Sequence, residues 1–387
     1  MSLPIRLGLF YSAIFVGTGA SSPYMPVWFA YHGLNGAQIG LILSLPMLAR
    51  MVTAPLLAVW ADSFRLRRTA LIFMSLGVAA AYAAMALPLG FAGWIVVWFA
   101  ASSAFSTISP LTDVIVLKRA SRDGFNYGWP RGIGSAAFIV ANVALGALLA
   151  WNSPEIVLVW IVASAAIMAL AARLLLPADP VHEDDAPSTA RAAWSGLGEL
   201  VRDPGFMTAA IAAGLIQSAH AFYYGFSTLA WKAQGIPESM TGVLWGVGVA
   251  AEIAFLWFCE PWRRRIGPRN LLVLGGVAAI VRWAALAFSP PLWMLFPLQT
   301  LHTLSYAATF LASLQLVERL STPRNASAAQ SINSALSGGV LAGLATMASG
   351  PLFDRFGAQG YLLMAAMCAA GLIGAVRLYS FKRLDPA

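Results

Sequence analysis

Charge is scarce in this chain. Lysine, arginine, aspartate and glutamate make up 10% of its 387 residues, where soluble domains carry about a quarter. With 59% hydrophobic residues and a mean hydropathy of +0.73, the chain cannot cover a water-facing surface, which excludes a soluble globular protein. Cysteine is equally rare. Cys259 and Cys368 both fall in or beside apolar runs, which argues against a disulfide framework and leaves them as packing residues. The period-two alternation of a membrane β-barrel is absent too, because the apolar runs are continuous and far longer than the roughly ten residues of a barrel strand. No A-x-A cleavage site follows the first run, which opens at Pro4, Ile5 and Arg6, so that run is expected to be retained as a first span. The sequence has no G-x-S-x-G, no H-E-x-x-H, no paired aspartates in helices and no phosphate loop, and its four histidines are widely separated. An intramembrane enzyme, an ATP-driven pump, a metal site and a cofactor are therefore not expected.

What the chain does have is apolar length. Twelve runs, at about 7-29, 37-61, 69-88, 92-118, 129-150, 155-176, 206-232, 240-259, 270-289, 291-318, 325-348 and 358-379, are each long enough as helices to cross roughly 30 Å of hydrocarbon. The net charge of +8 does not point to nucleic acid once its distribution is considered. With a cytoplasmic N-terminus, nineteen of the 24 basic residues lie in cytoplasmic segments, among them Arg65, Arg67, Arg68, Arg191, Arg263, Arg264, Arg265, Lys382 and Arg383. Only Lys232 and Arg355 fall outside, while Arg50, Arg131 and Arg282 lie within spans. One false or missed helix would scramble that bias, so the pattern supports both the count and cytoplasmic placement of both termini in a multi-pass inner-membrane protein.

The stretch 177-205 breaks the runs six plus six and carries much of the acidic charge and several prolines. The expected domains are a six-helix bundle over 1-176, a cytoplasmic linker over 177-205 and a second bundle over 206-387. Within the linker, Trp194, Leu197, Leu200 and Val201 recur at helical spacing, fitting either a short amphipathic helix or a flexible tether with some apolar residues.

Polar residues inside the runs form stripes spaced three and four apart, on single helix faces. They are Gln217, His220, Tyr224 and Trp231 in the seventh; Gln299, His302 and Tyr306 in the tenth; Ser102, Ser106, Ser109 and Asp113 in the fourth; and Arg131, Ser135 and Asn142 in the fifth. The third, sixth and twelfth runs carry almost nothing polar, as befits helices held against lipid. A period of three helices repeated across two halves predicts an all-α membrane protein of twelve transmembrane helices in two pseudo-symmetric six-helix bundles.

The charged residues carry a resemblance. AVWADSFRLRR (58 to 68) is similar to the G-x-x-x-D-R-x-G-R-R cytoplasmic motif of the major facilitator superfamily, with Asp62, Arg67 and Arg68 retained and Ala58 in place of the first glycine. EPWRRRIGPRN (260 to 270) keeps the basic residues and Gly267 without the aspartate, and GPLFDRFG (350 to 357) is a cleaner copy. PLTDVIVLKR followed by YGWPRGIGSAAF looks like the permeases' acid on helix four and arginine on helix five, here Asp113 and Arg131. Glu252, Arg282 and His302 follow the permeases' order of acid, arginine and histidine, but Ser305 stands where lactose-type permeases place a further carboxylate. QSAHAFYYGFSTLAW (217 to 231) looks very like the phenylpropionate transporters.

Over essentially its full length, then, the chain resembles the major facilitator superfamily, in the proton-coupled branch with the lactose permease, nucleoside symporters and phenylpropionate transporter. The resemblance implies a binding site formed by helices 1, 4, 5, 7, 8, 10 and 11. Candidate substrate-binding residues are Asp113, Arg131, Gln217, His220, Tyr224, Trp245, Arg282 and His302; Glu252 and Asp113 are candidates for proton coupling; Asp62, Arg67 and Arg68 form the cytoplasmic gating motif.

A charge near the bilayer centre costs roughly 2.5 to 3.5 kcal/mol even on the mildest scale, so each such group needs a partner or water. Glu252 beside Arg282 is expected either to form a permanent pair locking helices eight and nine, or to stay ionised while paired and accept a proton when the arginine is drawn away. Asp113 with Arg131 carries the same two readings. Arg50 is expected to be structural, as a second partner of Asp113. The expected activity is proton-coupled uptake of a small organic solute, first an aromatic monocarboxylate, by a monomer in the bilayer that needs no nucleic acid. A nucleoside or sugar symporter is the alternative. An exporter is disfavoured because the fifth run lacks the G-x-x-x-G-P signature.

Overall fold

The computed structural model describes residues 1–181, 196–322 and 324–381. Arg191, Trp194, Lys382 and Arg383, which entered the expectations above, lie outside the described residues. In chain order the α-helices are α1 (Leu3–Tyr31), α2 (Gly36–Asp62), α3 (Arg67–Ala84), α4 (Gly90–Asp123), α5 (Gly128–Leu149), α6 (Glu155–Leu175), α7 (Leu197–Arg202), α8 (Pro204–Ser218), α9 (Ala221–Ala233), α10 (Glu238–Phe258), α11 (Glu260–Ala287), α12 (Leu292–Thr300), α13 (Thr309–Leu320), α14 (Ala326–Ser334), α15 (Ala342–Phe356) and α16 (Tyr361–Arg377). Nine helical stretches among the described residues are long and apolar enough to cross a membrane, and one of them, Ala326–Ser380, holds α14, α15 and α16, with α15 ending at Gly357. The third and tenth predicted runs are helical as well, over α3 and over α12 with α13, so helix covers every one of the twelve runs.

Local chemistry sets the ends. Asn35 closes a capping box at the start of α2: its side chain accepts from Gln38 N at 2.9 Å, and its own backbone N–H donates to the Gln38 side chain at 3.1 Å. Asp203 Oδ1 caps α8 by accepting from Gly205 N and Phe206 N at 2.8 and 3.1 Å, with Pro204 pre-set for the first turn.

Four of the runs read in the sequence form helices that depart from the expected bounds or from unbroken α-helix. The seventh is broken between α8 and α9, with His220 at the break. The ninth starts ten residues earlier than expected, at Glu260, because Arg264 donates to Glu260 one turn back and supports a polar helical segment. That segment turns at Gly267, whose φ of 77° only glycine adopts readily, before the apolar part of α11 begins. The tenth and eleventh runs each carry a π-helical turn, at Thr303–Ala308 and Ala335–Leu341. Of the linker expectation, α7 is real: Leu200 is buried and Val201 exposed.

The chain forms two compact units, Met1–Asp184 with Trp231–Gly246, and Asp185–Ala230 with Val247–Ala387. In the first, α1 is the central helix and packs on α5 and α6. Gly134 makes the α1–α5 approach possible, since a Cβ there would lie 2.7 Å from Phe15 and 2.9 Å from Tyr11. Helix α6 buries Val157, Ile161, Ala165 and Met168 and turns Ile167, Leu170 and Leu174 outward at spacings of three and four, an apolar face suited to lipid. In the second unit α11 packs on α16, and Trp283 stacks on Tyr361 at 5.6 Å with an interplanar angle of 5°. Interhelical hydrogen bonds reinforce it: Ser313 donates to Asn333 Oδ1 and Ser218 to the Ser337 carbonyl, both at 3.0 Å.

Candidate functional site

Each unit holds its own charged cluster. In the first, Asp113 sits on α4 and Arg131 on the first turn of α5, with Arg131 Nη1 3.7 Å from Asp113 Oδ1. That distance suits an ion pair but exceeds a hydrogen bond. The same carboxylate oxygen instead accepts from two phenols, Tyr11 on α1 and Tyr127 just before α5, the latter at 2.9 Å. Arg131 donates to Ser109 Oγ at 3.1 Å and lies over the rings of Phe15 and Tyr11, at 4.7 and 5.2 Å from their centroids. The arginine side chain is 36% exposed and the aspartate 29%.

Neither tyrosine figured among the sequence candidates. Tyr127 lies four residues before Arg131, and Tyr11 lies four before Phe15 and seven before Thr18, so both continue polar faces at helical spacing. Arg50, expected as a second partner of Asp113, is exposed, and the ion pair of Asp113 is made with Arg131. Trp245 is buried and belongs to the first unit.

In the second unit, Arg282 on α11 is completely buried. Its Nη2 donates to Gln299 Oε1 at 2.8 Å, and its Nη1 approaches His302 Nδ1 at 3.0 Å and Ser305 Oγ at 3.4 Å. The guanidinium also lies 4.6 Å from the ring centroids of both Tyr223 and Trp283, so aromatic faces and neutral acceptors offset its desolvation. His220, at the α8–α9 break, approaches the Gln217 carbonyl through Nδ1 at 3.0 Å and Ser305 Oγ through Nε2 at 3.1 Å. Gln217 in turn donates to the Tyr306 carbonyl at 3.1 Å, and Tyr224 lies against the His220 ring.

The expected direct pairing of Glu252 with Arg282 is not what the structure shows. Glu252 Oε2 faces His302 Nε2 at 3.8 Å, and it is the other nitrogen of that ring that meets Arg282. The imidazole of His302 therefore stands between acid and arginine. The reason is local: α12 passes into a π turn right after His302, bringing His302 and Ser305 together onto Arg282.

Hydrogen-bond polarity then fixes the tautomers. Arginine only donates, so His302 Nδ1 accepts, and the proton of the neutral ring sits on Nε2, facing Glu252. A carbonyl only accepts, so His220 carries its proton on Nδ1 and takes the Ser305 hydroxyl on Nε2. Ser305, at the position of the missing carboxylate, is thus a neutral node joining His220 to Arg282. Gln217, His220, Tyr224, Arg282, His302 and Glu252 come together in this unit, while Asp113 and Arg131 come together in the other.

The loop expected to act as the cytoplasmic gate is engaged in a different contact. Leu66 pairs antiparallel with Pro180, Arg67 donates from its side chain to the Val181 carbonyl at 2.9 Å, and Arg119 on α4 pairs with Asp179. The chain leaving α6 is thereby fastened to the α2–α3 loop. Asp62 is exposed and Arg68 half-buried.

Ionisable side chains gathered inside bundles of membrane-crossing helices are the layout of a multi-pass transporter of small solutes. Residues 4–364 match the model described as the MFS_1 like family, and the chain belongs to that family. It is 28% identical over 316 residues to the probable 3-phenylpropionic acid transporter of Escherichia coli (strain K12), covering 80% of this chain and 81% of that protein. It is 29% identical over 371 residues to the maltose permease of Geobacillus stearothermophilus, covering 93% and 90%. Among solved structures, the nucleoside transporter NupG superposes with a TM-score of 0.86 at 18% identity, over 99% of this chain and 100% of that one. These relatives are transporters and not enzymes.

Proposed function

We propose that the chain takes up a small aromatic monocarboxylate together with protons by alternating access. It acts as a monomer in the inner membrane, with both termini cytoplasmic and the six-helix halves 1-176 and 206-387 joined by the linker 177-205. The observation that carries this reading is Arg131: a partly exposed guanidinium with one hydrogen bond to a side chain, lying against the rings of Phe15 and Tyr11. A planar fork beside aromatic faces suits a carboxylate carried on a ring. Glu252 is the proton carrier, since the basic side chain it faces is the neutral imidazole of His302 at 3.8 Å rather than the charged Arg282 guanidinium, which leaves the carboxylate without a charged partner among the described residues to hold it ionised. The loop holding Asp62, Arg67 and Arg68 serves as the gate.

The test is uptake of labelled 3-phenylpropionate into membrane vesicles with an acid-outside gradient. Accumulation above equilibrium that collapses with a protonophore supports the proposal, and accumulation indifferent to the gradient overturns it. Sugar symport is the second reading, favoured by the maltose permease relative that spans 93% of the chain. Labelled maltose in the same vesicles separates the two.

A further inference from the structure

Asp113 does not depend on Arg131 for its hydrogen bonds. Two phenols converge on Oδ1, the oxygen nearest the arginine, and at 3.7 Å the guanidinium is left outside hydrogen-bonding range. Of the five N–H donors on Arg131, the side-chain contacts use one, on Ser109. The acid and the arginine together are net neutral, so an incoming anion gains little from bulk charge. It gains from directional bonds, and the number of unclaimed N–H groups sets how many it can make.

Without the phenols the balance would change. A carboxylate with no other donor would draw in the guanidinium 3.7 Å away, and a closed acid–arginine pair is the strongest competitor a ligand carboxylate could face. Tyr11 is held for this task. It is fully buried, its Cβ lies close to Gly134, and the Arg131 guanidinium lies over its ring. Tyr127 lies one turn before Arg131, just ahead of α5, and donates to the same oxygen.

We propose that Tyr11 and Tyr127 are positioning residues that occupy the Asp113 carboxylate and so release Arg131 to a carboxylate ligand. The proposal rests on the monocarboxylate reading and names the residues that set its affinity. Hydroxyl removal without loss of the ring tests it: Tyr127→Phe, Tyr11→Phe and the pair together, each also combined with Asp113→Asn. Two measurements are made on the purified full-length protein. One is the rate at which phenylglyoxal modifies Arg131, followed by peptide mass spectrometry without ligand; the other is the Kd for 3-phenylpropionate.

Loss of both phenols is expected to slow modification and weaken binding about tenfold each, and Asp113→Asn in that background is expected to restore both. A tyrosine that merely braced the helices would not be rescued by removing the carboxylate. Unchanged rates in the phenylalanine variants, or losses that Asp113→Asn leaves in place, overturn the proposal. Melting temperatures verify folding, and Tyr127→Phe, outside the helix core, decides the matter if Tyr11→Phe does not fold. Failure of the parent protein to bind 3-phenylpropionate strikes the monocarboxylate reading instead, and the ligand-free modification rates still decide for or against the tyrosines.

Discussion

The two clusters use the same residue types and wire them differently. In the first unit acid and arginine are direct neighbours, both partly exposed, with the acid satisfied by phenols. In the second the arginine is sealed, its donors directed to Gln299, His302 and Ser305, and an imidazole separates it from the acid. An arginine that is partly exposed with donors to spare is suited to a ligand, and a sealed one whose two Nη groups are both committed, with only Nε unpaired, is suited to holding helices together. The difference teaches that an acid–arginine pair in a membrane sequence is not one device. What decides its role is which third groups take up the hydrogen bonds.

Breaking the accessible cluster should have the largest effect. Arg131→Ala is expected to raise the KM for 3-phenylpropionate uptake about a hundredfold, the loss of a bidentate charged contact, with Arg131→Lys recovering only part. Normal kinetics in the alanine variant would make the first cluster scaffolding and erase the contrast. Next comes the acid of the second cluster: Glu252→Gln should abolish accumulation driven by a pH gradient while labelled-substrate exchange across the same vesicles continues. Uphill uptake equal to the parent would take proton carriage away from that residue.

A smaller change is expected from Gly134→Ala, whose Cβ would press on Phe15 and Tyr11. Stability should fall by about 1–3 kcal/mol, seen as a lower melting temperature in detergent, and substrate affinity should fall with it because Tyr11 is displaced. Arg50→Ala should matter least. Its side chain is exposed, so stability should stay within about 0.5 kcal/mol, and a larger drop would restore the structural role first expected for it.

Much of the fold was legible because hydropathy reports on spans, and helix covers each of the twelve apolar runs. Asp113 and Arg131 were legible as well, since a charge in an apolar run has to find a partner. Tyr11 and Tyr127 were not, because a tyrosine in a membrane helix looks like packing until its hydroxyl is placed. The order of Glu252, Arg282 and His302 along the chain suggested an acid touching an arginine. Only the π turn after His302, which no residue spacing announces, revealed the ring between them. Gly267 was noticed as a motif residue, but its left-handed backbone, and so the polar helical segment before it, required coordinates.

The widened turns in the tenth and eleventh runs have a consequence for how those helices count. A single broad turn takes up an additional residue, so the segments on its two sides run out of phase, like two gears on one shaft offset by a tooth. Upstream, the phase of Gln299 and His302 serves the sealed guanidinium; downstream, that of Ser313 serves Asn333, which itself precedes the other broad turn. One rod thereby presents two independently aimed edges, a freedom that a helix of uniform pitch does not have.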